Sequence, residues 1–317
     1  MKWFLSALAL AAILTAQPQD LAVHAGEPST MVILNGQSVP VFFNDGDSFR
    51  VLGGSMKGSK ARLAGFNTLE SHGPVHQWGD WTVKELYVLA KMATLHARRG
   101  KWVCKSDGKT DTYGRMLTFC PGLAKSLIER GLAHAMTVTD KPSPKALLKA
   151  QRQAMQAKRG IWAHGRPAFV LTSLHSVEED VEGRGTYNRL VSSHDGHSVK
   201  WRHTDKYTEC QTVCQQVYSV DETKVSSVAA YLKADSPLAT MLGSLGDNKV
   251  KTMVRTYARF RHVNRVIPKK KRAQVKKVLD KLAADGQFGQ QESSNGSCVV
   301  HVPFERRFGG TRAECLR

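Results

Sequence analysis

The sequence predicts an α+β protein in two modules: a small antiparallel sheet or barrel with helices packed on it, then a basic, mainly helical module containing disulfides. Three observations predict this. At 317 residues the chain is long enough for two domains, each with its own core. Short runs of β-formers fill residues 31–70, broken by turn-forming pairs. Helical spacing with capping signals takes over from Thr82. No repeat at a fixed period is present.

In chain order, Met31 to Leu34, Val39 to Phe43 and Ser48 to Leu52 read as strands, with Asn35-Gly36 and Gly53-Gly54 as hairpin punctuation. Thr82 and Glu85 form a capping box ahead of Val83, Leu86, Tyr87 and Ala90 at helical spacing. Lys101 to Lys105 and Met116 to Cys120 read as paired strands about a turn, and Leu123 to Arg130 as a short helix stopped by Gly131. A third helix has Ser143 as cap, Pro144 in its first turn and Gly160 as its stop. The character changes after Trp162, and the module boundary is placed near 165, giving residues 26–164 and 165–317. The second module opens with a hairpin, Tyr187 to Val191 and Val199 to His203 about Asp195-Gly196. Helical patterns then run from about Lys206 to Ala284, and Cys298 to Phe304 returns as a strand.

Met1 to Ala25 reads as a secretory signal: Lys2 is the charged start, Trp3 to Ala16 the apolar stretch, and Val23-His24-Ala25 the cleavage site, with a cut after Ala16 as the alternative. The apolar run of about 14 residues is shorter than the roughly 20 that a membrane span needs. No later stretch is long and apolar enough to span, so the mature chain is expected to be exported and free of transmembrane segments, in a periplasm or outside the cell. Six cysteines, an even number, fit an oxidising compartment. Hairpin pairing would bring Cys104 opposite Cys120 for a cross-strand disulfide, with two buried free thiols as the alternative. Cys210 and Cys214 fall on one face of a predicted helix, a poor geometry for bonding to each other, so bridges to Cys298 and Cys315 are expected in either pairing. A zinc site is the rival reading of those cysteines. The formal charge of +19 suggests nucleic acid, acidic polymer or anionic membrane as partner, and does not choose among them.

Three separated segments carry the chemistry: Asn44-Asp45-Gly46-Asp47-Ser48, Arg62 to Glu70, and Asp111-Thr112-Tyr113-Gly114-Arg115. Phosphodiester hydrolysis needs charge neutralisation, an aligned water and a group to take its proton. Carboxylate and carbonyl oxygens suit a hard cation such as calcium. Arginines clamp phosphoryl oxygens with planar, permanently charged donors. A glutamate beside a water serves as general base. Singly, Asp-Gly-Asp is a common acidic turn, and one Arg or Glu is ordinarily a surface charge. In this order and spacing, with Gln151 to Trp162 closing the region, residues 31–163 resemble the staphylococcal nuclease (thermonuclease) family.

That resemblance implies an OB-fold-like five-stranded β-barrel with packed helices. It also implies a secreted, calcium-dependent nuclease cutting DNA, and RNA as a further substrate, with low sequence specificity and leaving 3′-phosphate ends. It assigns Arg62 and Arg115 to the scissile phosphate, Glu70 as general base, and Asp47, Asn67 and the Thr68 carbonyl to one calcium ion. Asp45 would support the metal, and Tyr113 would meet the nucleotide. Asn67 departs from the family, which carries an aspartate there, and so removes one negative charge; Leu69 replaces a proline and Thr137 a nucleotide-stacking tyrosine. The loop Ser71 to Trp81 adds His72, His76, Trp78 and Trp81, read either as substrate stacking on Trp78 with a histidine aiding proton transfer or holding a transition metal, or as local packing over the barrel.

No family resemblance is recognised in the second module. Between Lys249 and Lys281 it is densely basic, with Tyr257 and Phe260 interleaved, which reads either as a phosphate-binding strip or as the solvated face of amphipathic helices. Two rivals stand beside the nuclease reading: a nucleic-acid-binding protein with weak or lost turnover, and an envelope-associated protein binding acidic polymer.

Overall fold

A computed structural model describes residues 30–71, 75–139, 141–172, 187–202, 207–264, 266–302 and 313–317. The expected signal segment, Met1 to Ala25, and His72 lie outside the described residues. The first strands follow the predicted punctuation: β1 (Thr30–Leu34), β2 (Gln37–Asp45) and β3 (Ser48–Val51) form an antiparallel meander, joined by β4 (Lys60–Leu63). Alternation along β1 and β2 turns Val32, Leu34, Val39, Val41 and Phe43 inward, with Phe49 edge-on to Phe43.

Two further strands, β7 (Trp102–Cys104) and β8 (Met116–Thr118), run parallel to β1 and β4, at opposite ends of the sheet. The sheet order is β7-β1-β2-β3-β4-β8, and it curls until its ends meet at an antiparallel bridge between Lys105 and Phe119. This gives six strands in that sheet where five are expected, because the two arms of the 101–120 hairpin diverge and each lengthens one end. The same bridge sets Cys104 against Cys120, and the expected disulfide joins them.

Around this sheet lie α1 (Val83–Arg99), α2 (Pro121–Glu129) and α3 (Lys145–Gln156), with the pair β5 (Phe66–Thr68) and β9 (Ala133–Ala135) below. The Thr82–Glu85 capping box is complete. Helix α2 ends where Gly131 turns to φ +65, and a Cβ there would lie 2.1 Å from the Arg159 carbonyl oxygen. That close approach seats the segment ending at Trp162 against the barrel. Ser143 does not cap α3, whose N-cap residue is Pro144 and which has no side-chain cap.

Beyond residue 165, β10 (Phe169–Leu171), β11 (Tyr187–Ser192) and β12 (Ser198–Arg202) form one sheet, with the expected hairpin about Asp195-Gly196. Helices α4 (Glu222–Ala234), α5 (Ala239–Leu242), α6 (Asp247–Phe260) and α7 (Arg272–Ala284) enclose a separate apolar core around Leu232, Met253, Tyr257 and Leu279. The helical reading from Lys206 is corrected at its start: residues 212–218 form β13 (Thr212–Tyr218), paired with β14 (Ser293–Val300). Cys214 is therefore on a strand, directly opposite Cys298, and bonds to it, while Cys210 bonds to Cys315. All six cysteines are in disulfides, so no thiolate is left for zinc, and the three bridges fit an oxidising, non-cytoplasmic environment. Among the described residues no helix is long and apolar enough to cross a membrane.

The two halves share a sheet. Strand β6 (Val75–Gln77), from the histidine- and tryptophan-containing loop, pairs antiparallel with β14, placing His76 opposite Val299. His76 is fully buried, and its Nε2 meets the Leu171 carbonyl. The β11–β12 turn is tied down likewise: Thr137 N donates to Gly196 O (2.8 Å), Ser143 N to Asp195 O (2.8 Å) and Gln151 Nε2 to Ser193 O (2.7 Å).

Candidate active site

The site grows out of the tight turn between β2 and β3. Asp45 Oδ1 accepts from Ser48 Oγ (2.7 Å) and from the Asp47 amide (3.2 Å), an Asx-type closure that fixes the turn. Gly46 is required by space: a Cβ there would lie 2.5 Å from Thr68 Cγ2 and 3.1 Å from Ala93 Cβ. The turn is thereby pressed onto β5 and α1, and Asp47 is driven to 1% exposure.

From that position Asp47 Oδ2 accepts from the Thr68 amide (2.8 Å), and Oδ1 accepts from Arg62 Nη1. Arg62 projects from β4, and its Nη2 donates to Asn67 Oδ1 (2.6 Å). Asn67 Nδ2 in turn donates to the Thr68 carbonyl (2.7 Å) and sits 3.3 Å from His134 Nε2. Register accounts for the last contact, since Asn67 on β5 stands directly opposite His134 on β9.

Burial pushes the Asp47 carboxyl up, to about 7, with Arg62 and the Thr68 amide opposing it. Both Asp47 oxygens face N–H donors, so the network is built for the ionised form. Burial also works against the Arg62 charge, but Asp47, Asp45, Glu70 and Asp111 together outweigh it and hold the guanidinium charged. His134 is kept neutral by burial, its pKa lowered to about 3.

The third segment reaches the same mouth through β8. Arg62 pairs with Leu117 across the parallel β4–β8 ladder, and Arg115 immediately precedes β8. Asp111 Oδ2 accepts from Arg115 Nε (2.7 Å), and Asp111 Oδ1 accepts from the amides of Tyr113 and Arg115 (2.9 Å each). The Arg115 guanidinium lies 5.5 Å from the centre of the Tyr113 ring, which is 49% exposed. Glu70 follows β5, is half-buried, and lies within the field of Arg62. Arg62 thus links the segments: it bonds Asp47 and Asn67 and lies in the field of Asp45, Glu70 and Asp111, and Asp111 in turn holds Arg115 beside Tyr113.

Trp78 does not join them. It is 4% exposed, donates Nε1–H to the Ile161 carbonyl (3.1 Å), and packs with Trp81 and Trp162 beneath the barrel. Its indole face is spent on the core, so substrate stacking is withdrawn and the packing reading stands. Sequence reasoning missed His134, whose only local trace is the alternation Ala-His-Ala in a strand buried on both faces. A separate cleft of about 720 Å³, lined by Glu129, Arg130, Gln153, Gln156, Ala157 and Arg159, shares none of the site residues.

A calcium ion takes six to eight oxygens, several of them charged. Here the expected seat offers one carboxylate, one amide oxygen and one carbonyl, and each of these oxygens already accepts an N–H. Among the described residues no group of three or more His, Cys, Asp and Glu side chains is placed to hold a metal. As arranged, these residues do not fit a calcium ion.

A curled six-stranded sheet with three helices packed on it, carrying a charged network around Arg62, is the class of α+β domain in which this site sits. Residues 60–164 match the family described as Staphylococcal nuclease homologue, and this segment is a staphylococcal-nuclease-like domain. The match begins at β4, so it takes in Arg62, Asn67, Thr68, Glu70, Tyr113 and Arg115 and leaves Asp45 and Asp47 before it; residues 165–317 remain unassigned. No curated protein matches the chain.

Proposed function

We propose that the protein is an exported nuclease that hydrolyses phosphodiester bonds of DNA, and of RNA where it is offered, with low sequence specificity. The observation that supports this reading is that Arg62, from one segment, lies in the field of Glu70 and of Asp111, and that Asp111 holds Arg115 from a third segment. In this reading a water oxygen attacks phosphorus while Glu70 takes its proton, and the P–O ester bond breaks with its electron pair going to the leaving oxygen, which takes a proton from solvent water to become the product hydroxyl. The outward edge of Arg62 and the more exposed Arg115 offset the charge that builds on the phosphoryl oxygens. Tyr113 offers an exposed ring for the adjoining nucleotide. Charge neutralisation falls to the arginines, because the oxygens of Asp47, Asn67 and Thr68 already accept N–H donors and do not fit calcium.

Beyond residue 165, exposed lysines add sequence-independent affinity for the polyanion. A second reading, binding without turnover, is favoured by one observation: Arg62 is held by Asp47 and Asn67 as well as facing the mouth. Incubating the full chain with single-stranded and duplex DNA, with added calcium and with chelator, separates the two. Cutting that is lost in Glu70→Gln while DNA binding persists is the expected result. Binding with no cutting under every condition hands the site to the second reading.

A further inference from the structure

We infer that the place where the staphylococcal nuclease resemblance puts a divalent cation is, in this chain, a self-satisfied hydrogen-bond network, and that Asn67 is the residue that makes it so. The inference concerns cation binding and stands whether or not the mouth hydrolyses phosphodiesters.

Four oxygens line the place: both of Asp47, the side-chain oxygen of Asn67 and the carbonyl of Thr68. Each accepts a hydrogen bond from a fixed nitrogen. Arg62 serves one Asp47 oxygen and the Asn67 oxygen, the Thr68 amide serves the other Asp47 oxygen, and the Asn67 amide nitrogen serves Thr68 O at 2.7 Å. The amide cannot be turned around without loss. Its oxygen faces the Arg62 donor, and its nitrogen faces two acceptors, the Thr68 carbonyl and His134 Nε2. His134 Nδ1 lies 3.3 Å from the Ala135 carbonyl, which selects the tautomer with hydrogen on Nδ1 and leaves the Nε2 lone pair toward Asn67.

A carboxylate at position 67 would reverse this. Its second oxygen would face the Thr68 carbonyl and the His134 lone pair, three acceptors with no hydrogen among them in a buried site. A cation resolves that conflict, and so does an amide N–H; this chain uses the amide. One guanidinium already sits at these oxygens, bonded to Asp47 and Asn67 and in the field of Asp45, Glu70 and Asp111. A divalent ion entering here would lie beside the Arg62 charge at the same oxygens. His134 is accordingly a positioning residue that acts through Asn67.

Calcium binding to the full chain, followed by calorimetry and by thermal melting in calcium against chelator, tests this. For the wild-type protein the expected result is no binding heat at this site and an unchanged Tm. In Asn67→Asp, calcium is expected to bind on the order of tenfold or more tighter, with a calcium-dependent rise in Tm, because a second charged oxygen joins the set and the amide donor is gone. Should Asn67→Asp not fold, Arg62→Gln serves in its place: losing the guanidinium frees two oxygens, and calcium should bind it more tightly than wild type. Stoichiometric calcium binding by the wild-type chain that disappears in Asp47→Asn would overturn the inference. Cleavage abolished by chelator and restored by calcium would also overturn it while leaving the nuclease reading intact. An absence of cleavage with calcium still unbound would remove the nuclease reading alone.

Discussion

The barrel mouth and the helical core beyond residue 220 both hold arginine against carboxylate, but in opposite surroundings. Arg62 and Asp47 are an almost dry pair, with side-chain exposures of 19% and 2%, whereas Arg255 and Glu222 are 38% and 58% exposed. The helical half also spends cations internally: Arg261 stacks 4.1 Å from the Tyr218 ring, and Lys276 pairs with Asp280, which accepts from Tyr257 as well. What stays exposed is a set of lysines, Lys249, Lys269, Lys270, Lys271, Lys277 and Lys281. Formal charge is therefore a poor guide to where a polyanion binds. In the mouth a few cations are positioned by buried partners, while on the helices the lysines are left to solvent.

The sharpest way to break this comparison is to remove one carboxylate from each pair. Asp47→Ala removes the buried partner of Arg62, which keeps Asn67 and the field of Asp45, Glu70 and Asp111, and should cost about 2–3 kcal/mol, less than the loss of a wholly enclosed pair. Glu222→Ala opens an exposed pair and should cost under about 1 kcal/mol. Urea denaturation of the two variants measures both, and equal losses would erase the distinction.

Acid should act on both halves through buried histidines. Burial lowers the pKa of His134 to about 3 and of His262 to about 4, so both are neutral when folded, while the unfolded chain takes up protons near 6.5. The unfolded state then binds more protons below 6.5, and stability, complete above that pH, is lost as pH falls. His76, on the seam between the halves, is lowered to about 4 by burial and should alone contribute about 3 kcal/mol of that loss between pH 6.5 and 4. Denaturation series across this window, with His76→Gln as comparison, should give a shallower pH slope for the variant.

The smallest effect on stability is expected from Lys269, Lys270 and Lys271, none of them buried. Changing all three to alanine should leave the melting temperature nearly unchanged. It should weaken binding of single-stranded DNA and reduce the salt slope by about 0.7 for each phosphate that is no longer neutralised. An unaltered slope would move polynucleotide retention away from the helical half.

Local features were the readable ones. The strands from Met31 to Leu52, the Thr82–Glu85 cap and the Asp195-Gly196 hairpin each depend on residues within a few positions of one another, and each appears in the structure. What depends on distant partners was not readable. Residues 212–218 became a strand because β14, some eighty residues later, supplies its ladder and Cys298 its disulfide partner. Trp78 turned inward because the Ile161 carbonyl meets its indole nitrogen. The motif residues of the site were legible, but the locking of Arg62 by Asp47 and Asn67, and the part of His134 in it, follow from strand register and from the pressure of Gly46 on β5.

The pairing of β6 with β14 sets an order of events for the growing chain. Strand β6 is made within the first quarter of the sequence, but the residues that complete its ladder, Cys298 to Val300, come near the end. A nascent chain can close the 30–63 meander from its own neighbours, while the backbone of residues 75–77 must wait for more than two hundred residues to follow. Over that interval residues 75–77 have no strand partner, although they lie inside the half whose fold is otherwise the more local.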